Sequence, residues 1–294
     1  MGALRGVLTA MVTPFDEAGE LTFDALPPFL EFQRRHGIDG VVVAGTNGEG
    51  VSLAANERMR LLEAVMAQRG SMSVIAGTGA CAVTDAVALT RHACACGADA
   101  VLVLPPFFVR APTAEGLAAY FGAVLDAARV PVLLYHIPQF TAVEITPALV
   151  ELLAGHPRLA GIKDSEGDWE TTQAWIARDG FVTFAGSDPL LSRALAAGAV
   201  GGISGTANAF PELVSAVYRA HSDGQDTAPS QRRLDAAIEL LAGFPPFAVN
   251  KSVLALRRLP HMCVRPPLVP LTTDQEQQLA AALRRADLLP DDAG

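Results

Sequence analysis

Lys163 stands where lysines are seldom found. It continues an apolar run, Leu159-Ala160-Gly161-Ile162, and Asp164 follows it. Burial in a barrel mouth penalises an ammonium and favours the neutral amine. A neutral amine attacks a ketone and forms an iminium, which acts as an electron sink. The same position also fits a lysine that snorkels at a rim or pairs with Asp164. Tyr135 closes the run Val130–Tyr135. Its phenol fits proton transfer beside a reacting group, or a buried ring with a satisfied hydroxyl. His136 comes next, and adjacent strand positions face opposite ways, so a peripheral place is expected for it. Gly45-Thr46-Asn47-Gly48-Glu49-Gly50 follows another apolar run. Its glycines let backbone N–H groups approach a ligand as an anion nest, and the Thr46 hydroxyl suits substrate binding or proton relay. A tight strand-to-helix turn has the same composition. No Gly-Lys-Ser/Thr follows, so this is not a phosphate-binding Walker loop.

Two later runs end in Gly186-Ser187-Asp188 and in Gly201-Gly202-Ile203-Ser204-Gly205-Thr206-Ala207-Asn208. Both suit close approach of a ligand, and Ser187 and Asp188 equally suit helix N-capping. Ile203, Ser204 and Asn208, with Gln139, Thr141 and Ser165, are candidate contacts for substrate hydroxyls. Pro105-Pro106-Phe107-Phe108 reads as a rigid apolar wall or a subunit contact. The histidines His36, His92, His136, His156, His221 and His261 are scattered, with no HxH or HExxH pair. Glu49 and Asp188 are isolated carboxylates. No catalytic metal set and no cofactor are expected, which favours the lysine chemistry.

The elements that must position these residues are a repeating series. Apolar runs occur at Gly6–Val12, Gly40–Ala44, Ser73–Ala76, Ala100–Leu104, Val130–Tyr135, Leu159–Ile162, Phe181–Phe184 and Val200–Ser204. Helical stretches lie between them at Leu26–Arg35, Asn56–Gln68, Thr84–Cys96, Ala114–Ala127, Pro147–Leu153 and Leu190–Ala197. Thr84-Asp85, Thr113 and Thr146-Pro147 supply start signals. Continuous apolar runs are strands buried on both faces. Eight such units predict a (β/α)8 TIM barrel, with a doubly wound sheet as the alternative. After Ser204 the alternation stops. Helices are expected near Pro211–Ala220, Ser230–Ala242, Ala248–Arg257 and Thr273–Leu288, with a loop over His221–Ser230. The expected division is a catalytic barrel over residues 1–226 and a C-terminal helical extension over residues 227–294. Catalytic groups of such barrels sit at the C-terminal ends of the strands, where Lys163, Tyr135 and Thr46 fall.

The chain has 294 residues, 50% of them hydrophobic, enough for one large core. Its net charge is −9, without a basic stripe, which argues against nucleic acid or an anionic membrane surface as a partner. No apolar stretch of about 18 residues predicts a membrane span. The start, Met1-Gly2-Ala3-Leu4-Arg5-Gly6, lacks the apolar core and cleavage site of a signal peptide. Cys81, Cys94 and Cys96 cluster in one predicted helix and Cys263 stands apart, which reads as reduced thiols in the cytoplasm.

Taken together, Gly45-Thr46-Asn47-Gly48-Glu49, Tyr135 with Pro138, Gly161-Ile162-Lys163-Asp164 and the late Gly-Gly-Ile-Ser stretch with Asn208 resemble the dihydrodipicolinate synthase/N-acetylneuraminate lyase family of class I aldolases. The match in order and spacing covers almost the whole chain. The resemblance implies that Lys163 forms an imine with pyruvate or a related 2-keto acid and that Tyr135 moves protons. It implies that Gly45, Thr46, Asn47 and Gly48 hold the keto-acid carboxylate, and that the assembly is a homotetramer built as a dimer of dimers. The departures bear on substrate. Asn47 stands where the synthases carry a second Thr, and Phe108 stands where they carry a Tyr supplied across a dimer interface. Gln139-Phe140-Thr141 occupies the place of their carboxylate-clamping Arg. The resemblance is therefore closer to the branch that cleaves or dehydrates 2-keto-3-deoxy sugar acids, with a synthase joining pyruvate to aspartate semialdehyde, or a non-catalytic keto-acid-binding protein that keeps the barrel, as the alternatives.

Overall fold

The computed structural model describes residues 4–289. Met1, Gly2 and Ala3 of the N-terminal run, and residues 290–294 of the extension, lie outside the described residues. The chain opens with β1 (Gly6–Ala10), α1 (Leu26–Arg35), β2 (Gly40–Val43), α2 (Ala55–Met66), β3 (Ser73–Gly77) and α3 (Val83–Ala95). It continues with β4 (Ala100–Val103), α4 (Ala114–Ala127), β5 (Val132–His136), a single turn α5 (Pro138–Thr141), α6 (Pro147–Leu153) and β6 (Leu159–Asp164). Then come α7 (Trp169–Ile176), β7 (Val182–Ala185), α8 (Leu191–Ala197), β8 (Gly201–Ser204) and α9 (Pro211–Ser222). The last helices are α10 (Ala228–Ala242), α11 (Ala248–Leu256) and α12 (Thr273–Arg285).

The eight strands close into a barrel in sequence order, and β1 pairs with β8 in parallel. This is the TIM barrel that the apolar runs predict, with helices on the outside. Strand alternation splits the core in two. Leu8, Val42, Ile75, Leu102, Leu133, Tyr135, Phe184 and Ile203 fill the barrel interior. Val7, Val41, Val74, Val101, Leu134 and Ile162 face the helices. Extension residues Leu234, Val253, Leu254, Leu279 and Leu283 belong to this same outer core. The extension is therefore packed on the barrel rather than folded around a core of its own.

Several local expectations change. Thr113 and Thr146 cap α4 and α6 as expected, accepting from the N–H groups of Gly116 and Leu149. Thr84 and Asp85 do not cap α3, whose N-cap is Ala82; Asp85 instead places its charge in the first turn, where the helix dipole favours it. Cys81 precedes α3 and Cys96 caps its C-terminus, so the predicted helix holds Cys94 alone. The polar run His221–Ser230 is mostly helix at its ends, because α9 runs to Ser222 and α10 starts at Ala228. The helix α7 has no counterpart among the predicted stretches. Only Thr172 and Trp175 of its eight residues are buried, so its apolar stripe is faint, and Asp168 starts it by accepting from the Thr171 N–H.

Candidate active site

Tyr135 and Lys163 face each other because β5 and β6 are neighbours in register: Tyr135 pairs with Lys163, one step before His136 with Asp164. Lys163 is 4% exposed, which removes the snorkelling alternative. It does not pair with Asp164, whose carboxylate accepts from the Thr172 hydroxyl at 2.5 Å and the Glu166 N–H at 3.2 Å. Burial holds the Asp164 carboxyl above its ordinary range, and the Thr172 bond opposes that shift. The Lys163 Nζ donates to the Tyr135 hydroxyl at 3.2 Å and lies 4.3 Å from the centre of its ring. Tyr135 in turn shares a hydrogen bond of 3.1 Å with Thr46 Oγ1. The result is a chain of three polar groups, Lys163, Tyr135 and Thr46, drawn from three strand ends.

Burial pushes the Tyr135 phenol up, but the Lys163 charge and the hydrogen bonds from Thr46 and Lys163 outweigh it, and the net shift is downward. Space for the lysine is made by Gly186. A Cβ there would lie 2.9 Å from Lys163 Cε and 2.8 Å from the Asp164 carbonyl oxygen, closer than a side chain is tolerated.

Thr46 and Tyr135 form part of the wall of a cavity of about 430 Å³ at the C-terminal ends of the strands. Lys163 is not on that wall but is joined to it through the Tyr135 hydroxyl. Gly45 and Thr141 also lie on the wall, with apolar surface from Leu104, Phe107 and Phe140. His136 points the other way, toward Glu166 at 3.3 Å and the Trp175 ring, as strand alternation requires.

The remaining candidates are spread over three settings. Asn47 accepts from the Asn250 amide at 3.4 Å. Gly48 is buried beneath the loop, where a Cβ would meet the Met11 carbonyl oxygen at 2.8 Å. Ile203 fills the barrel interior. Ser204 and Asn208 are expected substrate contacts, yet the structure seats both fully inside with their polar atoms engaged. Ser204 donates to Asp188 at 2.9 Å and accepts from the Ala207 N–H. Asn208 accepts from the Val12 N–H and donates to the carbonyls of Ala10 and Gly205, tying the end of β1 to the loop after β8. Asp188 thus braces that loop, and Ser187 makes no capping bond. Gln139 is exposed and donates to the Ser165 carbonyl at 2.6 Å. The Thr141 hydroxyl serves the carbonyls of Ile137 and Val143.

Sequence reading missed what holds the loop in place. Ala44 and Glu49, on either side of Gly45–Gly48, have φ of 55° and 52°, left-handed values that cost non-glycine residues energy. Lys251 of α11 donates to Glu49 Oε1 at 2.6 Å, and the Arg265 N–H donates to Oε2 at 2.9 Å. Phe247, with φ of 65°, reaches the cavity wall from the extension. Arg58 of α2 is also on the wall, with its NH groups bonded to the carbonyls of Gly77 and Gly79. Burial brings its pKa down to about 10.

The model of the Dihydrodipicolinate synthetase family matches residues 3–286. An uncharacterised DapA-like lyase of Chloroflexus aurantiacus is 44% identical over 97% of this chain and 98% of its own. A 4-hydroxy-tetrahydrodipicolinate synthase of Gluconacetobacter diazotrophicus is 35% identical, again over 97% of this chain and 98% of its own. Among solved structures, a catalytic lysine mutant of the Ruminococcus gnavus sialic acid aldolase superposes with a TM-score of 0.90 at 26% identity, covering 98% of this chain and 99% of the other.

Proposed function

The chain belongs to the dihydrodipicolinate synthetase family of aldolase-type lyases, and on that premise we propose that it reversibly cleaves a 2-keto-3-deoxy sugar acid to pyruvate and an aldehyde. The observation that carries this reading is the hydrogen-bonded series Lys163–Tyr135–Thr46 beside a strand-end cavity. In the proposed reaction the substrate carboxylate rests on Gly45–Gly48. Lys163 Nζ attacks the C2 ketone, and loss of water gives the iminium. Tyr135, relayed with Thr46, takes the proton of the C4 hydroxyl. The C3–C4 bond then breaks, its electrons enter the iminium, and the aldehyde departs. Protonation of the enamine at C3 and hydrolysis release pyruvate and restore the amine.

The substrate class rests on what the cavity offers. Where the synthases carry an Arg clamp, this chain has Gln139-Phe140-Thr141. Phe140 presents an apolar ring to the cavity, and Gln139 is committed to the Ser165 carbonyl. Among the described residues on the wall, Arg58 is the one cation; its Nη1 and Nη2 donate to the Gly79 and Gly77 carbonyls, and its buried Nε–H has no partner. Losing a bidentate clamp weakens recognition of a second carboxylate. The second reading, condensation of pyruvate with aspartate semialdehyde, draws on the synthase name of relatives such as the Gluconacetobacter protein. We further propose a cytoplasmic homotetramer, with residues 1–226 as the catalytic unit and 227–294 as its extension. Phe108, 84% exposed beside the cavity-lining Phe107, supports a subunit contact there.

The test is borohydride reduction in the presence of pyruvate, followed by intact mass measurement. A stable pyruvyl adduct that disappears in Lys163→Ala is expected; no adduct with any 2-keto acid would overturn the imine chemistry. Pyruvate release from 2-keto-3-deoxygluconate or a relative, and none of the condensation with aspartate semialdehyde, is the expected outcome of the substrate comparison. The reverse pattern would replace the first reading by the second.

A further inference from the structure

Away from the cavity, α2 and α3 bring together three side chains of metal-ligating type. His92 and Cys96 are four residues apart, so they lie on one face at the C-terminal end of α3. Glu63 approaches them from α2. His92 Nε2 is 3.1 Å from Glu63 Oε1 and 3.3 Å from Cys96 Sγ, and the three ligand atoms all lie within 4.8 Å of one another.

We propose that Glu63, His92 and Cys96 form a binding site for a borderline divalent cation of the zinc class. Zinc takes nitrogen at about 2.0–2.1 Å, sulfur at about 2.3 Å and carboxylate oxygen at about 2.0–2.2 Å, in tetrahedral geometry. Those lengths separate nitrogen from sulfur by about 3.5 Å and nitrogen from oxygen by about 3.4 Å. The two separations from His92 Nε2 are within a few tenths of an ångström of those values, and the exposed Glu63 carboxylate is free to turn toward Cys96 Sγ, which lies within 4.8 Å. Nε2 carries at most one proton, so it either donates to Glu63 or accepts from the Cys96 thiol. A cation engages all three at once, with the thiol proton released to solvent.

The donor set selects the metal class. One thiolate, one imidazole and one carboxylate suit zinc or cobalt, whereas magnesium and calcium require mainly oxygen. Access is open, because the Glu63 side chain is 55% exposed and that of His92 24%, which leaves the fourth position to water. Cys94, two residues from Cys96, is turned elsewhere and accepts from the Arg129 N–H at 3.2 Å. The bound ion would tie α2 to α3 from outside, on the two helices whose preceding loops wall the cavity.

Titration of the metal-free full chain with Co²⁺ tests this. A thiolate-to-cobalt charge-transfer band is expected, saturating at one equivalent per chain and bleached by Zn²⁺. Cys96→Ser should abolish the band and weaken Zn²⁺ binding in calorimetry by at least about tenfold, with His92→Ala weakening it similarly. Cys94→Ser and Cys263→Ser should keep the band; Cys263 is the competing thiol, since its Sγ lies 3.5 Å from His261 Nε2. Absence of the band in the wild type, its survival in Cys96→Ser, or its loss in Cys263→Ser would each overturn the site. Circular dichroism of each variant establishes that the fold is retained.

Discussion

Two lysines of this chain are almost completely buried, and they are buried in opposite ways. Lys163, at the end of β6, has its Nζ against the hydroxyl and the ring face of Tyr135. Lys251, on α11, has a full ionic partner: it is 2% exposed, Glu49 is 1% exposed, and the pair closes at 2.6 Å. Burial pushes the Lys251 amine down, and the Glu49 charge opposes that shift. The Lys251 Nζ also donates to the Cys263 carbonyl and lies over the Phe15 ring. Glu49 and the Cys263 carbonyl thus hold the Lys251 ammonium in place. Lys163 has a phenol as its neighbour instead, and its strand places it beside the cavity. Depth therefore does not separate the two lysines; the chemistry of their neighbours does.

The comparison is broken first by removing each amine. Lys163→Ala should lower kcat by on the order of 10⁴-fold or more while leaving the thermal midpoint unchanged or raised, because a group placed for reaction contributes little to the fold. Lys251→Met should do the reverse. It leaves the Glu49 carboxylate buried without its counter-charge, a change that costs about 3–5 kcal/mol in comparable cores. Urea denaturation measures it. Adding Glu49→Gln to Lys251→Met should recover part of the loss, since the orphan charge is removed while the Arg265 N–H keeps an acceptor. A loss below about 1 kcal/mol in Lys251→Met, the range of an exposed pair, would mean that the clamp is not structural.

This contrast also explains which parts were legible in the residues. All eight strands were, because each is buried on both faces and so reads as an unbroken apolar run. Lys163 stood out for the same reason, as a charge at the end of such a run. The Lys251–Glu49 pair spans 202 residues of sequence, and nothing local to either residue announces the other. Asn208 carries two readings. Its place in a glycine-rich strand-end segment suggests a ligand contact, while its amide is the right size to tie two backbone segments together. The Glu63–His92–Cys96 cluster was hidden because its third ligand comes from a different helix. Contacts fixed by tertiary register are the ones that pattern and composition leave out.

The smallest expected effect sharpens the Lys163 side of the comparison. Tyr135 is held below its ordinary value of 10.0 although burial alone would raise it, and the Thr46 hydrogen bond is one of the opposing causes. For a phenol, a lowered value means that the basic tyrosinate form appears at lower pH. If Tyr135 takes the C4 hydroxyl proton, the cleavage rate must climb with pH as that form accumulates, on the acid side of 10.0. Thr46→Val removes a bond that stabilises the tyrosinate. The climb should therefore move to higher pH, and the rate at neutral pH should fall by about two- to tenfold, the worth of one hydrogen bond of about 0.5–1.5 kcal/mol. Lys251→Met should leave the position of the climb unchanged, because Lys251 is bonded to Glu49 and Cys263 rather than to Tyr135. A pH–rate profile for the two variants measured side by side decides the matter. A shift in Lys251→Met equal to that in Thr46→Val would show that the clamp reaches Tyr135 through the loop, and that the two lysines are less separate than their neighbours make them.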